Sequence, residues 1–336
     1  MARQRKRAPT IHDVAREAGV SIATVSRALN GYQDASAATA DRVREVARSL
    51  GYSASVPAQA LRQGASTVVG VVYNGARENP MLQHPFFAGV LQGFAAAIGA
   101  AGFDILLPAA AEADGDRRFL EQSRRHRLAG VLVLAHGDHA EVRRLAEAGL
   151  PVVGVDTGRG LPGVGCVTSA NADGAALAVR HLHELGHTRI ATIAGPEESI
   201  AGADRLQGYL DTLAELGLER REEWIVRGDF DRASGRVAAG QLLALDERPT
   251  AVFASSDVAA VELLEVTTQF GVVGFDDLDF ARDTSPPLTT IRQDRERLGA
   301  AAAELLAELI DQGERSARTV SVPVELVVRE SSRPRG

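Results

Sequence analysis

The feature that most constrains the fold is a regular alternation, from Val68 onward, between short β-branched runs and helical segments. Runs such as VVGVVY, GVLVLA and PVVGVD have no polar face, which is typical of parallel strands buried on both sides. Strands that alternate with helices predict doubly wound parallel sheets of the α/β class. The alternation forms two successive series, so it predicts two such subdomains. Their helices are expected at 86–101, 115–127, 139–148, 203–216, 231–245 and 257–270.

The first fifty residues follow a different, all-helical pattern. Thr10 followed by Asp13 is close to a capping box, and Gly19 can take the left-handed conformation that ends a helix. Ser21 is a second N-cap candidate, and an Asn-Gly pair stops the helix that it begins. Two short helices with a glycine in the turn between them predict a helix-turn-helix. A third helix is predicted from the apolar stripe of Val43, Val46, Ala47 and Leu50.

The second of these helices has two faces. Val25, Ala28 and Leu29 are spaced to pack against the first helix. On the other side, Arg27 could donate two hydrogen bonds to a guanine in a major groove, while hydroxyl groups suit phosphate contacts. The side opposite the packed face is predicted to hold Ile22, Ala23, Ser26 and Arg27. The predicted DNA-binding residues of the head are Thr10, Ser21, Ile22, Ala23, Thr24, Ser26, Arg27 and Asn30. A plain amphipathic hairpin is the simpler alternative.

Charge is divided unevenly along the chain. The whole sequence carries a net charge of −7, which alone argues against nucleic-acid binding. Residues 1–64 hold ten Arg and Lys against five Asp and Glu, a net of +5, so the remainder carries −12. A basic head on an acidic body indicates that only the head meets phosphates.

Cysteine usage and the N-terminus bear on the compartment. Cys166 is the single cysteine, which excludes an intramolecular disulfide and fits a reducing compartment. The basic start leads into no apolar run, and no stretch approaches the roughly 20 apolar residues that span a bilayer. We therefore expect a cytoplasmic protein without a membrane partner.

The head resembles a known family. TIHDVAREAGVSIATVSRALNG is similar, almost residue for residue, to the signature of the lactose-repressor (LacI/GalR) family, and LGYSASVPAQALRQG resembles its hinge helix. The resemblance implies a head of residues 1–64 with a hinge helix at about 57–63. Leu61 would insert into the minor groove and kink the duplex, with Ala58 and Arg62 beside it on the DNA. Composition alone leaves open a plain Ala/Ser/Gln linker at 53–64.

The body resembles the periplasmic-binding-protein-like core of the same family, in stretches such as HPFFAGV, RLQGY and GFDDLDFARDTSPPLTTIRQDRERLG. The resemblance implies an effector-binding core at 65–336. Its N-subdomain would comprise about 66–165 and 295–320, and its C-subdomain about 166–294 and 321–332. Ligands of such folds meet the C-terminal ends of strands. The matching effector positions are Phe86, Asp156, Phe230, Ser256, Asp276 and Gln293. Taken singly, each could equally be a core aromatic or a strand-end cap.

Three departures from the family pattern stand out. Ala203 and Ser199 occupy the positions that we align with the arginines of sugar-type and purine-type members, so we expect a ligand without the groups that those arginines hold. A long loop brings His84 and Arg77 near the cleft, where a solvated loop is the simpler interpretation. The segment 257–271 is shorter than in relatives by roughly two helical turns, which leaves the packing of the C-subdomain open.

Other motifs do not indicate an enzyme. Gly158, Gly160 and Gly163 match G-x-G-x-x-G, but Pro162 and an extended run follow where a dinucleotide site needs a helix. The carboxylates of GFDDLD lack a histidine or further acidic partner at ligand spacing. We therefore predict no catalytic residues, no metal and no cofactor.

Together these features predict a transcription regulator, and we expect a repressor rather than an activator. It would bind a pseudo-palindromic operator in double-stranded DNA as a homodimer, because the C-terminal tail has no leucine heptads that would make a tetramer. A small-molecule effector, a sugar or related metabolite, would control its affinity for DNA. The alternatives are a solute-binding protein for transport and a nucleotide-dependent oxidoreductase.

Overall fold

The computed structural model describes residues 9–29, 37–50, 66–74, 84–107, 115–135, 139–313 and 317–333. The chain separates into two units, Met1–Thr67 and Val68–Gly336. No helix within the described ranges is long and apolar enough to cross a bilayer.

The first unit contains helices α1 (Ile11–Ala18), α2 (Ile22–Leu29) and α3 (Ala37–Leu50). At the start of α1, the Asp13 carboxylate accepts hydrogen bonds from the Thr10 backbone N–H (2.9 Å) and hydroxyl (2.7 Å). Gly19 ends α1 with a φ of 64°, in the left-handed region that favours glycine. The Ser21 hydroxyl then accepts from the Thr24 N–H at 3.1 Å and caps α2. The predicted helix-turn-helix is confirmed, and its caps are the residues named from the sequence.

The three helices of this unit share one small core. Val14, Val25 and Val43, one from each helix, are completely buried and belong to a single cluster with several alanines. The predicted apolar faces of α2 and α3 are therefore confirmed where the structure describes them. The side chain of Leu29 lies outside the described residues.

The second unit contains a first sheet with strand order β11-β5-β4-β3-β1-β2, in which all neighbouring pairs are parallel. Its strands are β1 (Val68–Asn74), β2 (Asp104–Leu106), β3 (Gly130–Ala135), β4 (Val152–Val155), β5 (Val164–Ser169) and β11 (Thr319–Val322). One face packs on α4 (Pro85–Ala100) and α11 (Arg295–Gln312), and the other on α5 (Gly115–His126) and α6 (His139–Glu147). Because both faces are covered, the strands are apolar throughout.

A second sheet in the same unit has the order β12-β10-β9-β8-β6-β7, and its only antiparallel pair among the described strands is β10 with β12. Its strands are β6 (Ile190–Ala194), β7 (Ile225–Arg227), β8 (Ala251–Ala254), β9 (Gly271–Asp276), β10 (Thr289–Gln293) and β12 (Val324–Val327). Helices α7 (Asn171–Glu184) and α8 (Ile200–Glu215) cover one face, and α9 (Arg232–Leu243) and α10 (Asp257–Val266) cover the other. The predicted pair of doubly wound α/β sheets is confirmed.

The chain passes between the sheets slightly later than the sequence led us to expect. Strand β5 lies wholly in the first sheet, so the crossing follows Ser169 rather than residue 165. The return crossing lies between β11 and β12, around residue 323. Strand pairing decides this boundary, because β5 is held along its length by β4 and β11.

The shortened segment after β8 still packs. Helix α10 ends at Val266 instead of residue 270, and β9 begins at Gly271 beside β8. Phe270 is buried in the connecting stretch and joins Leu263 and Leu264 in the core of the second sheet. The short crossover therefore reaches the neighbouring strand by ending its helix early.

Candidate functional sites

One face of α2 is exposed in the first unit. Ser21, Ala23 and Arg27 are exposed, and the aliphatic side chain of Ile22 is 42% exposed. Thr24 is half-buried between this face and the core. The exposed face of α2 therefore presents an apolar group and a guanidinium, a combination that suits contact with base edges.

The structure corrects the predicted exposure of one residue, Ser26, on the DNA-reading side of α2. Ser26 is only 8% exposed, whereas the helical spacing placed it with Ile22 and Arg27 on the outer face. A serine side chain is short, and at this position on α2 it is covered by the surrounding residues. Thr10 is half-buried at the cap of α1. Asn30, Ala58, Leu61 and Arg62, and with them the predicted hinge helix, lie outside the described residues.

A narrow cavity with about 30 Å³ of free volume lies in the second unit. Its lining residues are His84, Phe86, Phe87, Asp156, Ala201, Arg205, Phe230, Ser256, Asp276 and Gln293. The structure thus brings together, in one place, the six residues that the sequence singled out as effector contacts.

The topology explains why residues so distant in sequence converge. Asp156 directly follows β4 of the first sheet. Ser256 follows β8, while Asp276 and Gln293 end β9 and β10 of the second sheet. Parallel strands carry their carboxyl ends to the same edge of a sheet, which is where α/β folds bind ligands.

Three of these residues have unusual backbone conformations. Asp156, Phe230 and Asp276 have φ values of 55°, 58° and 127°, which side chains other than glycine seldom adopt. Phe230 also packs so closely over Gly195 that a Cβ there would lie 2.3 Å from its ring. Strained backbone of this kind clusters at functional sites, so the conformations support a binding role for the cavity.

Hydrogen bonds and one ion pair link the two carboxylates of the cavity through Arg205. From Asp156 it runs through the Thr168 hydroxyl (2.6 Å) to the Asn171 amide (3.0 Å), whose oxygen accepts from Arg205 Nε at 2.8 Å. Arg205 Nη1 then lies 4.0 Å from Asp276 Oδ1. The two halves of the second unit are therefore joined through the cavity wall.

The network continues beyond Asp276. The Gln293 amide donates to Asp276 Oδ1, and its oxygen accepts from the Ser169 hydroxyl, both at 2.5 Å. Ser256 uses its hydroxyl locally, because it donates to the Phe230 carbonyl (3.0 Å) and accepts from the first turn of α10. Ser256 thus positions Phe230 as well as lining the cavity.

Burial dominates the electrostatics of the cavity. It raises the pKa of Asp156 and of Asp276, because a carboxylate loses its hydration there, and it lowers the pKa of Arg205 for the same reason. The hydrogen bond from Thr168 and the charge of Arg205 oppose the shift at Asp156. The cavity therefore offers desolvated, oriented acceptors, which are suited to hydroxyl or amine hydrogens.

Arg205 is the residue that the sequence prediction missed. We expected no arginine at the ligand because Ala203 and Ser199 stand at the positions aligned with the family's arginines. Ala203 is exposed and Ser199 caps α8, but Arg205 is 4% exposed and lines the cavity. Its guanidinium also lies 3.7 Å from the centre of the Phe275 ring. The signal was present in the RLQGY motif, whose arginine lies two residues beyond Ala203.

His84 corrects a second expectation. It is half-buried rather than part of a solvated loop, and it lines the cavity at the N-cap of α4. Phe87 joins it, with the two ring centres 6.1 Å apart in an edge-on arrangement. Arg77 lies outside the described residues.

A larger recess of about 1,020 Å³ lies beside the cavity, lined by residues that include Asp277, Arg292 and Arg295. Arg292 is paired there with Asp277 (2.7 Å) and with Glu325. Because these charges satisfy one another at an open surface, the smaller and more buried cavity is the better candidate for a ligand.

Comparison with known proteins agrees with this arrangement. The model of a family described as bacterial regulatory proteins, lacI family, matches residues 10–55, and that of a periplasmic binding protein-like domain matches residues 179–332. The HTH-type transcriptional regulator CelR of Thermobifida fusca is 34% identical, over 98% of this chain and 99% of its own length. The HTH-type transcriptional repressor PurR of Photobacterium profundum is 32% identical, over 96% and 98%.

Solved structures are similar over the same length. A complex of the transcriptional regulator CelR with cellobiose has a TM-score of 0.73 and 33% identity, with 96% of this chain and 99% of that chain covered. A Lac repressor dimer bound to operator and the anti-inducer ONPF has a TM-score of 0.82 and 27% identity, with coverages of 97% and 100%. With a helix-turn-helix head, paired α/β sheets and relatives that match from end to end, this chain belongs to the lacI family of bacterial regulatory proteins.

Proposed function

We propose that this chain is a transcriptional repressor whose affinity for operator DNA is controlled by a sugar bound in the cavity of the second unit. It is a transcription regulator with effector-controlled DNA binding and not an enzyme, as its family membership shows. The observation that carries the finer proposal is the presence in one chain of an exposed α2 face and a buried polar cavity.

The DNA-reading part of the proposal rests on α2. Ile22 and Ala23 would make apolar contacts with base edges, and Arg27 would donate to guanine. Ser21, Thr24 and the half-buried Thr10 would contact phosphates, which position the head without specifying sequence. For the buried Ser26 we propose only that it packs behind the exposed face of α2. Asn30, Ala58, Leu61 and Arg62 remain predicted contacts.

The ligand part rests on the chemistry of the cavity. Aromatic rings at Phe86 and Phe230 can pack on the apolar face of a sugar ring, while Asp156 and Asp276 accept hydrogen bonds from its hydroxyls. Arg205 adds a guanidinium that can donate to a sugar oxygen. Because the CelR structure holds cellobiose, a β-linked glucose disaccharide is the first ligand to test.

Dimer formation follows from the DNA-reading geometry. A single helix-turn-helix reads one half-site, and two heads related by a two-fold axis are needed for a pseudo-palindrome. A Lac repressor structure similar to this chain is a dimer on its operator. We propose the same state for this chain, with ligand binding in the body changing the affinity of both heads together.

The test is a selection of duplexes from genomic DNA by the full-length protein, followed by sequencing. Thermal-shift measurements with cellobiose, glucose and a set of nucleosides identify the ligand in parallel. We expect enrichment of a two-fold symmetric site whose binding weakens with rising salt. Retention of duplexes without any shared sequence would contradict the proposal, and stabilisation by nucleosides alone would contradict its ligand class.

A further inference from the structure

His84 has one ring nitrogen in use and one without a partner. Its Nδ1 accepts a hydrogen bond from the Phe86 N–H at 3.3 Å and so caps α4. Its Nε2 is buried and has no hydrogen-bond partner among the residues that the structure describes. A buried polar atom that is left unsatisfied costs stability, so its presence in the wall of a cavity needs an explanation.

The hydrogen bond that His84 Nδ1 accepts at the start of α4 determines which nitrogen of the ring carries the proton. A neutral imidazole carries its proton on one nitrogen and a lone pair on the other. Because Nδ1 accepts from the backbone, the proton of the neutral ring is on Nε2, which is therefore a donor. Burial lowers the pKa of His84, and the charges of Arg205 and Arg295 lower it further, while Asp276 opposes them. The ring is thus held neutral near pH 7.

His84 lies in the wall of the ligand site. His84 lines the cavity together with Phe86, Asp276 and Arg205. Since Nδ1 is turned toward the backbone of α4, Nε2 lies on the opposite edge of the ring. In the remainder of the cavity the carboxylates can only accept hydrogen bonds when ionised, so an uncharged donor adds a different recognition element.

We propose that His84 Nε2–H donates a hydrogen bond to an uncharged oxygen of the bound sugar and is a specificity-determining residue of the cavity. This inference rests on the proposed function, because it needs a ligand in that cavity. The same imidazole would tie the ligand to the first turn of α4, since its other nitrogen caps that helix. A ligand that lacks the matching oxygen would leave the donor buried and unpaired, and would bind more weakly.

Two substitutions distinguish the capping role of His84 Nδ1 from the donor role of His84 Nε2. His84→Asn keeps an acceptor near the place of Nδ1 but has no group that reaches the place of Nε2. His84→Gln puts its amide near the place of Nε2 but loses the short-range cap. The matched control is His183→Asn, because His183 Nδ1 is also buried without a partner among the described residues but His183 does not line the cavity.

The first measurement needs no ligand. Thermal unfolding of the full-length protein should give a midpoint for His84→Asn close to that of wild type, because the cap is kept and no hydrogen bond of Nε2 within the protein is lost. His84→Gln and His84→Ala should unfold at lower temperature, because the cap is lost. If His84→Asn is destabilised as much as His84→Ala, Nε2 has a partner within the protein and the proposal is overturned.

The second measurement is calorimetric titration with cellobiose. His84→Asn should weaken binding by about 10- to 100-fold, the range expected when one buried hydrogen bond is lost. His84→Gln should keep most of the affinity, and His183→Asn should bind like wild type. Equal affinities of His84→Asn and wild type would overturn the proposal.

Deoxy analogues of cellobiose then locate the partner oxygen. For wild type, removal of one hydroxyl should cause the same loss as His84→Asn, and the two losses should not add when combined. Additive losses at every position would contradict a direct contact. If wild type does not bind cellobiose, the proposed ligand class fails, and the ligand-free unfolding comparison alone decides whether the His84 donor is free.

Discussion

On α2 of the head, Ile22 and Arg27 are exposed, whereas in the body Asp156, Arg205 and Asp276 are buried, and each has a buried polar partner. The head can therefore lose a functional side chain without leaving a buried group unpaired. The body cannot do so at these three positions, because each side chain also satisfies a neighbour. Substitutions on the exposed face of the head should therefore change binding alone, while substitutions of these three buried residues should change folding as well.

The largest expected effect is at Arg205. Arg205→Ala leaves Asn171, the Ser255 carbonyl and Asp276 without their guanidinium. Removing one partner of a buried charged network costs about 3–5 kcal/mol. Urea unfolding followed by fluorescence measures this loss in the body, because Trp224 is the single tryptophan and is buried there.

Arg159→Ala is the matched control for Arg205→Ala. Arg159 pairs with Asp204 through two hydrogen bonds of 2.9 and 2.5 Å, but the two side chains are 38% and 27% exposed. An ion pair this exposed should contribute about 1 kcal/mol or less. Equal losses for the two arginines would contradict the contrast between buried and exposed groups.

Asp257 should make the stability of the body depend on pH. It is buried beside Asp276, and burial with the neighbouring negative charge raises its pKa to about 8. A carboxyl whose pKa is raised on folding stabilises the protein fully only below its ordinary pKa, and that stabilisation is lost as the pH rises toward 8. The loss can reach at most about 1.4 kcal/mol per pH unit.

Asp257→Asn is the neutral mimic of the protonated acid. Its amide can donate to the Thr290 hydroxyl and its oxygen can accept from the Leu278 N–H, as the protonated carboxyl would. Relative to this variant, wild type should lose stability between pH 4 and 8 in urea unfolding. Parallel pH profiles for the two proteins would show that Asp257 does not titrate in this range.

In the head, Arg27→Ala should weaken binding to the selected operator by about 1–3 kcal/mol and relax its sequence preference. Unfolding of the body should not change. Arg48→Ala removes the same charge from an exposed position on α3, so it should alter the salt dependence and not the preference. Fluorescence anisotropy with the operator and base-substituted duplexes distinguishes the two variants, and an unchanged preference for Arg27→Ala would remove α2 as the reading helix.

The smallest expected effect is at Ile22. Because its side chain is 42% exposed, Ile22→Ala should change unfolding of the head by no more than about 0.5 kcal/mol. Operator affinity should fall by about 1 kcal/mol, since an apolar contact with a base is lost. A large loss of helical circular dichroism on heating would show that Ile22 belongs to the core of the head instead.

The sequence predicted regular features well and the cavity in part. The caps at Thr10, Gly19 and Ser21 follow from local chemistry, and the paired sheets follow from apolar runs that alternate with helices. The caps and the sheets depend on short-range patterns, which one sequence contains. The cavity residues were predicted from the resemblance to the lacI family, and those at strand ends agree with the convergence of strand ends in such folds.

Arg205 and His84 needed the structure, for a physical reason. Both side chains reach the cavity from helices, α8 and the N-cap of α4, and their direction depends on how those helices dock on the sheets. Helical spacing equally failed at Ser26, where coverage by neighbouring side chains decides the exposure. Sequence spacing gives the face of a helix but not what packs against it.

Coupling between the two regions is the central claim, and one measurement tests it directly. Fluorescence anisotropy of the selected operator is titrated with full-length protein, without ligand and with the sugar at saturating concentration. Two coupled sites should change the operator Kd by at least about 5-fold, and Asp156→Asn, which alters the cavity, should reduce that change. An operator Kd that is the same with and without a sugar known to occupy the cavity would contradict the account.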